Sequence, residues 1–329
     1  MGWTAPACYG SDTHQTPNID RLAVQGMRFT NAYAACAVCS PTRASVMTGK
    51  YPARLHLTDW VASTKDVFWD YAKLREPDWT QGLGYDQTMV AELLKSSGYK
   101  TAHIGKWHLE KRAVEDPLKH GFDVTVGSDL KGGFFLTPEM NPGIVKENQY
   151  RTDFLTDHAL EMMRKWREQP FFIYLAFYNP HRPIEGKPEL VKYYSERIES
   201  GAVHAHAEYA AMIHSFDQNV GRIMSELDLL GLTDNTLLVF TSDNGGLTHD
   251  YDQYIGVTDN RPLRRGKGAC YEGGVREPWI VRWPGVAPSG AVCHEPVCTI
   301  DLLPTFARAA RIAPPIDIDG CDVTPLLQH

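Results

Sequence analysis

The sequence predicts an α/β fold with a mostly parallel, mixed central sheet and helices on both faces, and three observations carry that prediction. Short apolar, β-rich runs at 99–104, 171–178, 236–241 and 278–283 stop abruptly in polar or glycine-containing turns. Segments of helical periodicity lie between them, and strands alternating with helices imply a parallel sheet covered on both faces. Polar residues gather just after three of the runs, in Gly105-Lys106-Trp107-His108, Asn179-Pro180-His181 and Ser242-Asp243-Asn244. Ligands of open α/β sheets bind beyond the carboxyl ends of strands, so these three ends mark a candidate site.

The elements follow in order. Thr16-Pro17 opens a helix that reaches Gly26 and places Ile19, Leu22 and Ala23 on one face. The next helix has Ser40 as its N-cap, Pro41 at the first helical position, where a missing N–H costs nothing, and Gly49 just past its end. Cys39 then stands where backbone N–H groups and a helix dipole favour negative charge. Residues 86–97 give a helix closed by Gly98, and residues 151–168 and 205–230 give two longer ones. The chain shows no internal repeat and no low-complexity segment.

Composition bounds the function. The 329 residues are 43% hydrophobic, enough for one large domain or two smaller ones, with a formal charge of −7. That charge excludes a global electrostatic footprint for nucleic acid and leaves room for a local cationic pocket. No apolar run approaches the length of a membrane span, and Met1-Gly2-Trp3 does not begin an export signal. Seven irregularly spaced cysteines do not form a disulfide framework. Cys36-Ala37-Val38-Cys39 has CxxC spacing, but no second pair follows it, which argues against zinc or redox chemistry there.

Taken singly, each polar cluster has a structural explanation beside a chemical one. Cys39 fits a small buried thiol. Asp243-Asn244-Gly245-Gly246 fits a turn, and it also offers a carboxylate and an amide carbonyl, hard oxygen ligands for Ca²⁺ or Mg²⁺ that are too few on their own. Lys106 and His108 fit a surface lysine and a capping histidine, and His181 fits a turn held between prolines. Leu263-Arg264-Arg265-Gly266-Lys267-Gly268 is either a solvated basic loop or an anion clamp completed by Lys267. His14, His56, His158, His204 and His214 have no such context and read as structural.

The combination is more specific than its parts. Cys39-Ser40-Pro41-Thr42-Arg43 with Thr48-Gly49 is accompanied, in order, by Thr16-Pro17-Asn18-Ile19-Asp20-Arg21-Leu22, Gly105-Lys106-Trp107-His108, Thr241-Ser242-Asp243-Asn244-Gly245-Gly246, Gly266-Lys267-Gly268, Tyr271-Glu272-Gly273-Gly274 and Arg276-Glu277-Pro278. This set, spanning nearly the whole chain, resembles the type I, formylglycine-dependent sulfatases, arylsulfatase A-like members of the alkaline phosphatase superfamily. The resemblance implies an alkaline phosphatase-like sulfatase fold. It also implies a sulfuric ester hydrolase that cleaves a sulfate monoester on a sulfated carbohydrate, polysaccharide or aryl group.

In that family a maturase reads Cys-x-Pro-x-Arg and converts the cysteine to Cα-formylglycine. Cys39 would then be the nucleophile's precursor, and its aldehyde hydrate would form a covalent sulfo-enzyme intermediate. Carried over, Arg43 and His108 hold and deprotonate the hydrate, and Lys106 bridges nucleophile and sulfate. Lys267 neutralises the transferring group, and His181 is the general acid for the leaving alcohol. Asp243 and Asn244 bind Ca²⁺, with Mg²⁺ as the alternative, which acts as a Lewis acid. Partners implied are a sulfate ester substrate and the maturase.

Two departures accompany the resemblance. Family members carry a first β-strand ending in an Asp-Asp pair that completes the calcium site, and Met1 stands directly after the place of that pair. Asp319-Gly320 to Pro325-Leu326-Leu327 resembles the segment after which the family continues into a small C-terminal subdomain. Residues 1–329 are therefore expected to be a sulfatase catalytic domain trimmed at both ends, from a full-length protein that is periplasmic or secreted. The alternatives are a phosphonate monoester or phosphodiester hydrolase of the same superfamily, and an inactive anion-binding homologue. Trp60, Phe68, Trp69, Tyr71 and Trp79 are either sugar-stacking aromatics or loop anchors.

Overall fold

The computed structural model describes residues 1–61, 73, 77–110, 116–248 and 256–328. Phe68, Trp69 and Tyr71, considered above for sugar stacking, lie outside them. The chain opens with α1 (Pro17–Gln25), whose Ile19, Leu22 and Ala23 are buried as the periodicity predicts. Strands β1 (Met27–Phe29) and β2 (Ala32–Tyr33) lead into α2 (Cys39–Thr48). The sequence places the start of α2 at Pro41; the helix instead begins at Cys39, with extended Val38 as its N-cap. Ser40 therefore does not cap, and its Oγ accepts a hydrogen bond from the Val61 N–H at 3.0 Å. Pro41 still lies in the first turn, where backbone N–H groups have no helical partner. At the other end Gly49 adopts φ +67° and closes the helix, as its position implies.

Next come α3 (Val90–Ser96), β3 (Lys100–Gly105), α4 (Asp116–Lys119), β4 (Val124–Val126), β5 (Phe135–Leu136) and β6 (Gln149–Tyr150). The long α5 (Arg151–Trp166) precedes β7 (Phe171–Ala176), and α6 (Pro188–Ser195) precedes the longer α7 (Ala207–Leu229). After β8 (Leu238–Thr241) and the short α8 (Glu272–Val275) follow β9 (Trp279–Arg282), β10 (Ala291–Cys293), β11 (Val297–Cys298), α9 (Leu302–Ala309) and α10 (Thr324–Leu327).

The sheet is mixed. Strands pair in the order β4-β3-β7, all parallel, in one half, and β10-β1-β9-β8 in the other. In the second half β1 and β10 are parallel, while β9 runs antiparallel to both β1 and β8. The run at 278–283 thus differs in direction from the parallel expectation. Only the four-residue α8 is formed among the described residues between β8 and β9, so no full helical crossover returns the chain to the sheet's starting edge. The outer edges of β7 and β8 border a cavity of about 920 Å³ lined by residues of both strands. Among the described residues neither edge has a second strand partner.

Two large cores flank this frame. Met27, Phe29, Met47, Trp107, Phe122 and Leu303 belong to one, and Ile19, Leu22, Tyr209, Met212 and Phe240 to the other. No described helix is long and apolar enough to cross a membrane.

Candidate active site

The site assembles where α2, β3 and β8 deliver their ends. Cys39, at the first turn of α2, is buried at 3% exposure, and Arg43 lies one turn further along the same helix at 5%. The Arg43 guanidinium donates through Nε and Nη2 to Oδ2 of Asp243, just past β8, at 2.9 and 2.6 Å. Its Nη1 donates to the Lys106 carbonyl, just past β3, at 2.6 Å. One side chain therefore ties together three segments that are remote in sequence. Burial alone would keep Asp243 protonated, but Arg43 and then Lys106 overcome it and hold the carboxyl well below the usual range.

β3 ends in a turn that aims Lys106 and His108 at Cys39. Gly105 takes φ +103°, and a Cβ there would lie 2.1 Å from the Ala176 carbonyl oxygen, so only glycine permits this close approach to β7. His108 itself takes φ +61°. Its Nε2–H donates to the Val61 carbonyl at 2.8 Å, which leaves Nδ1 as the ring nitrogen free of that bond. That Nδ1 is buried without a conventional hydrogen-bond partner among the described residues.

Charge around Cys39 is set by these neighbours. Burial pushes the thiol up, yet Lys106 foremost, with Lys267 and the nearby His108 side chain, more than reverses the effect and holds it well below the ordinary thiol range. Lys106 is itself lowered by burial. Lys267 is anchored through its backbone N–H to the Gly246 carbonyl at 3.0 Å, and the Gly268 N–H donates to Ala37 O at 2.9 Å, which latches the basic loop onto the segment before Cys39.

His181, beyond β7, accompanies them. Its Nδ1 meets the Arg182 carbonyl at 2.9 Å. Burial first, and then Lys106 and Lys267, push its pKa well below the usual histidine value, so the ring is neutral while no anion lies between the lysines. Every proposed catalytic residue, Cys39, Arg43, Lys106, His108, His181 and Lys267, is thus drawn into one electrostatically coupled group.

The metal expectation rests on Asp243 and Asn244. Arg43 engages only Oδ2 of Asp243, and Asn244 Oδ1 is buried without a hydrogen-bond partner among the described residues. Two hard oxygen donors side by side fit a Ca²⁺ or Mg²⁺ ion. Among the described residues no group of three or more His, Cys, Asp or Glu side chains is arranged around them, so further ligands are needed. The Met1 amino group lies beside this spot, 2.8 Å from Ser242 Oγ.

Sequence reasoning assigned no role to two buried groups nearby. Glu277 has 0% exposure and neither carboxylate oxygen finds a hydrogen-bond partner among the described residues; burial raises its pKa well above the usual value. Asn260, at 1% exposure, sends its amide into three loop carbonyls. Glu277 was visible as part of Arg276-Glu277-Pro278, whereas Asn260 had no local signal beyond turn composition. Of the histidines without a motif, His14 and His204 lie 4.6 Å apart between ring centroids with tilted planes, and His14 binds the Ala5 carbonyl.

The Sulfatase family model matches residues 1–312. The chain belongs to the sulfatase family. It is 31% identical over 353 residues to N-acetylgalactosamine-6-sulfatase of Rattus norvegicus, an alignment covering 99% of this chain and 64% of that one. Arylsulfatase A of Homo sapiens is 31% identical over 361 residues, covering 99% and 66%. Among solved structures, Ps i-CgsB in complex with k-i-k-neocarrahexaose superposes with a TM-score of 0.83 at 31% identity, covering 99% of this chain and 73% of that one. The fold expectation is borne out by these likenesses. The chain spans less than two thirds of the length of the N-acetylgalactosamine-6-sulfatase it matches.

Proposed function

We propose that this chain hydrolyses sulfate monoesters of sulfated carbohydrates, with residue 39 as nucleophile after conversion to Cα-formylglycine by a maturase. The observation that carries the proposal is the electrostatics at Cys39, where two lysines and a histidine overcome the burial of an anion. Oxidised and hydrated, residue 39 supplies an oxygen nucleophile whose second hydroxyl permits release of sulfate in a second step.

The surrounding residues have separable tasks. Lys106 and Lys267 bind and charge-match the sulfate group, converging on residue 39 from two loops. His108 takes part through Nδ1 in removing a proton from the nucleophile, because its Nε2–H is committed to Val61. Arg43 does not need to touch substrate to matter: by gripping Asp243 and the Lys106 carbonyl it fixes both relative to residue 39. Burial first, and then the lysines, keep His181 neutral in the free site; an anion between the lysines offsets their share, so bound substrate moves it toward holding the proton for the leaving alcohol. Asp243 and Asn244 would hold Ca²⁺, which supplies Lewis-acid polarisation when bound.

The cavity between β7 and β8 supports the expectation of a further strand. Both edges lack a partner among the described residues, and Met1 lies beside Ser242 at the carboxyl end of β8, so a strand entering Met1 would run alongside β8. An upstream segment carrying a carboxylate pair is the proposed occupant and would complete the cation shell. Phosphonate or phosphodiester hydrolysis is the second reading, because those esters offer the lysines similar oxygens.

Mass spectrometry of the tryptic peptide containing residue 39, after co-expression with a maturase, is the first test. An unmodified cysteine would sink the nucleophile assignment. Rates on an aryl sulfate and an aryl phosphonate then separate the two ester classes. Equal calcium retention and activity in the chain as given and in an upstream-extended form would remove the strand proposal.

A further inference from the structure

Six glycines around the site share one physical cause that turn chemistry does not cover. A Cβ at Gly245 would lie 1.9 Å from the Gly273 carbonyl oxygen, at Gly266 2.2 Å from Gly246 O, at Gly273 2.0 Å from Arg265 O, and at Gly274 1.9 Å from Ala269 O. Gly2 and Gly246 are similarly closed off, by Asn260 Oδ1 at 2.0 Å and by the Thr258 methyl at 2.7 Å. Gly268 is the exception, with open space and φ +83°. Three loops are therefore stacked backbone against backbone: the one carrying Asp243 and Asn244, the one carrying Lys267, and the start of α8. Close backbone stacking turns carbonyls inward, and those carbonyls need donors.

Asn260 is the donor at their junction. Its Nδ2 lies 2.8 Å from Gly273 O, 3.2 Å from Arg265 O and 3.3 Å from Gly246 O, one carbonyl from each loop. An amide has two hydrogens, so at least one is shared between carbonyls. The Gly246 carbonyl also accepts the Lys267 N–H, and the Leu263 N–H binds Asn260 O at 2.9 Å. The side chain is buried, with Oδ1 unpartnered among the described residues, so solvent cannot substitute for it.

We propose that Asn260 is the positioning residue that sets Lys267 against Asp243 and Asn244, by holding the carbonyls of Gly246, Arg265 and Gly273 in one register. The functional half of this inference rests on the sulfate ester reading above; the structural half does not. Asn260 touches no reacting atom. It acts through Lys267, whose place relative to the Asp243–Asn244 loop is defined by the shared Gly246 carbonyl.

The test has two arms, run on the full chain and on its Asn260→Ala and Asn260→Asp variants. The second variant keeps the shape and exchanges the donor for an acceptor facing three carbonyls. Hydrogen exchange should quicken at least tenfold at Gly245, Lys267, Gly268 and Gly273, whose N–H groups close the loop stack, while amides of β3 and β7 keep their protection and so report an intact fold. Unchanged exchange at those four positions in both variants overturns the proposal, and so does equal quickening in β3 and β7. In the second arm, kcat and KM for 4-nitrophenyl sulfate are measured with and without Lys267→Ala. Misplacing Lys267 by about an ångström should lower kcat/KM by about 10²-fold in the parent. The same Asn260 substitution should cost less than about threefold once Lys267 is gone, because the effect has lost its carrier. Equal losses in both backgrounds overturn the proposal. A parent that is converted at residue 39 and extended upstream, yet without activity on the aryl sulfate, counts against the ester reading, and the exchange arm still decides the role of Asn260.

Discussion

Breaking the Arg43–Asp243 pair should be among the most costly single changes near the site, and its size follows from burial. The Arg43 side chain is enclosed and that of Asp243 is three-quarters buried, with Asp243 Oδ2 receiving two guanidinium N–H groups at 2.9 and 2.6 Å. Arg43→Met leaves a carboxylate without its main counter-charge and frees the Lys106 carbonyl, so the expected loss is about 3–5 kcal/mol at pH 7. Asp243→Asn strands the guanidinium and should cost a similar amount. In the double variant neither charge is orphaned, so its loss should fall short of the sum by about 1.5–3 kcal/mol.

Guanidinium chloride unfolding followed by tryptophan fluorescence reads this as midpoint shifts at constant slope. The sign of the pH effect is also set. Asp243 has a depressed folded pKa, so the pair's contribution is complete above the unfolded carboxyl pKa and disappears only as pH falls through the folded value. From pH 7 to pH 5 the pair's contribution should therefore stay constant. Single losses that add without coupling in the double variant would refute the reasoning.

Three further outcomes are expected. In unconverted protein, the 240 nm thiolate absorbance that disappears with Cys39→Ser should be present well below the ordinary thiol pKa and should move to higher pH in Lys106→Ala, since Lys106 is the largest favourable influence on it. Burial lowers both His14 and His103 from 6.5 to about 3, so in that interval the unfolded chain binds protons that the folded one does not. These two groups should contribute about 2.7 kcal/mol per pH unit to the loss of stability on acidification between those values, and His103→Phe should lower the measured slope by about half that amount; an unchanged slope would contradict the burial argument. Finally, inorganic sulfate should raise the His181 pKa in an NMR titration, and a shift that survives Lys106→Ala with Lys267→Ala would show that the lysines are not its cause.

Much of the site was legible in the sequence because its signals are local. Gly49 marks a helix end by needing φ +67°, Ile19, Leu22 and Ala23 mark a buried face by spacing, and the polar residues after β3, β7 and β8 mark strand ends by the abrupt change in hydropathy. The motif set around Cys39 carried family membership, since its residue types and order survive without any coordinates. Even there the boundary was imprecise: α2 begins at Cys39 rather than at Pro41, because the extended Val38 takes the cap position.

Only the tertiary structure decided how those ends meet. Strand direction is set by the path between strands, which residue types do not record, so β9 emerged antiparallel. The Arg43–Asp243 pair joins residues 200 positions apart, and no periodicity reports a contact at that range. The role of Asn260 was hidden for the same reason. An asparagine beside turn residues looks like a turn, and only the stacking of three glycine-lined loops makes its amide the shared donor for their carbonyls.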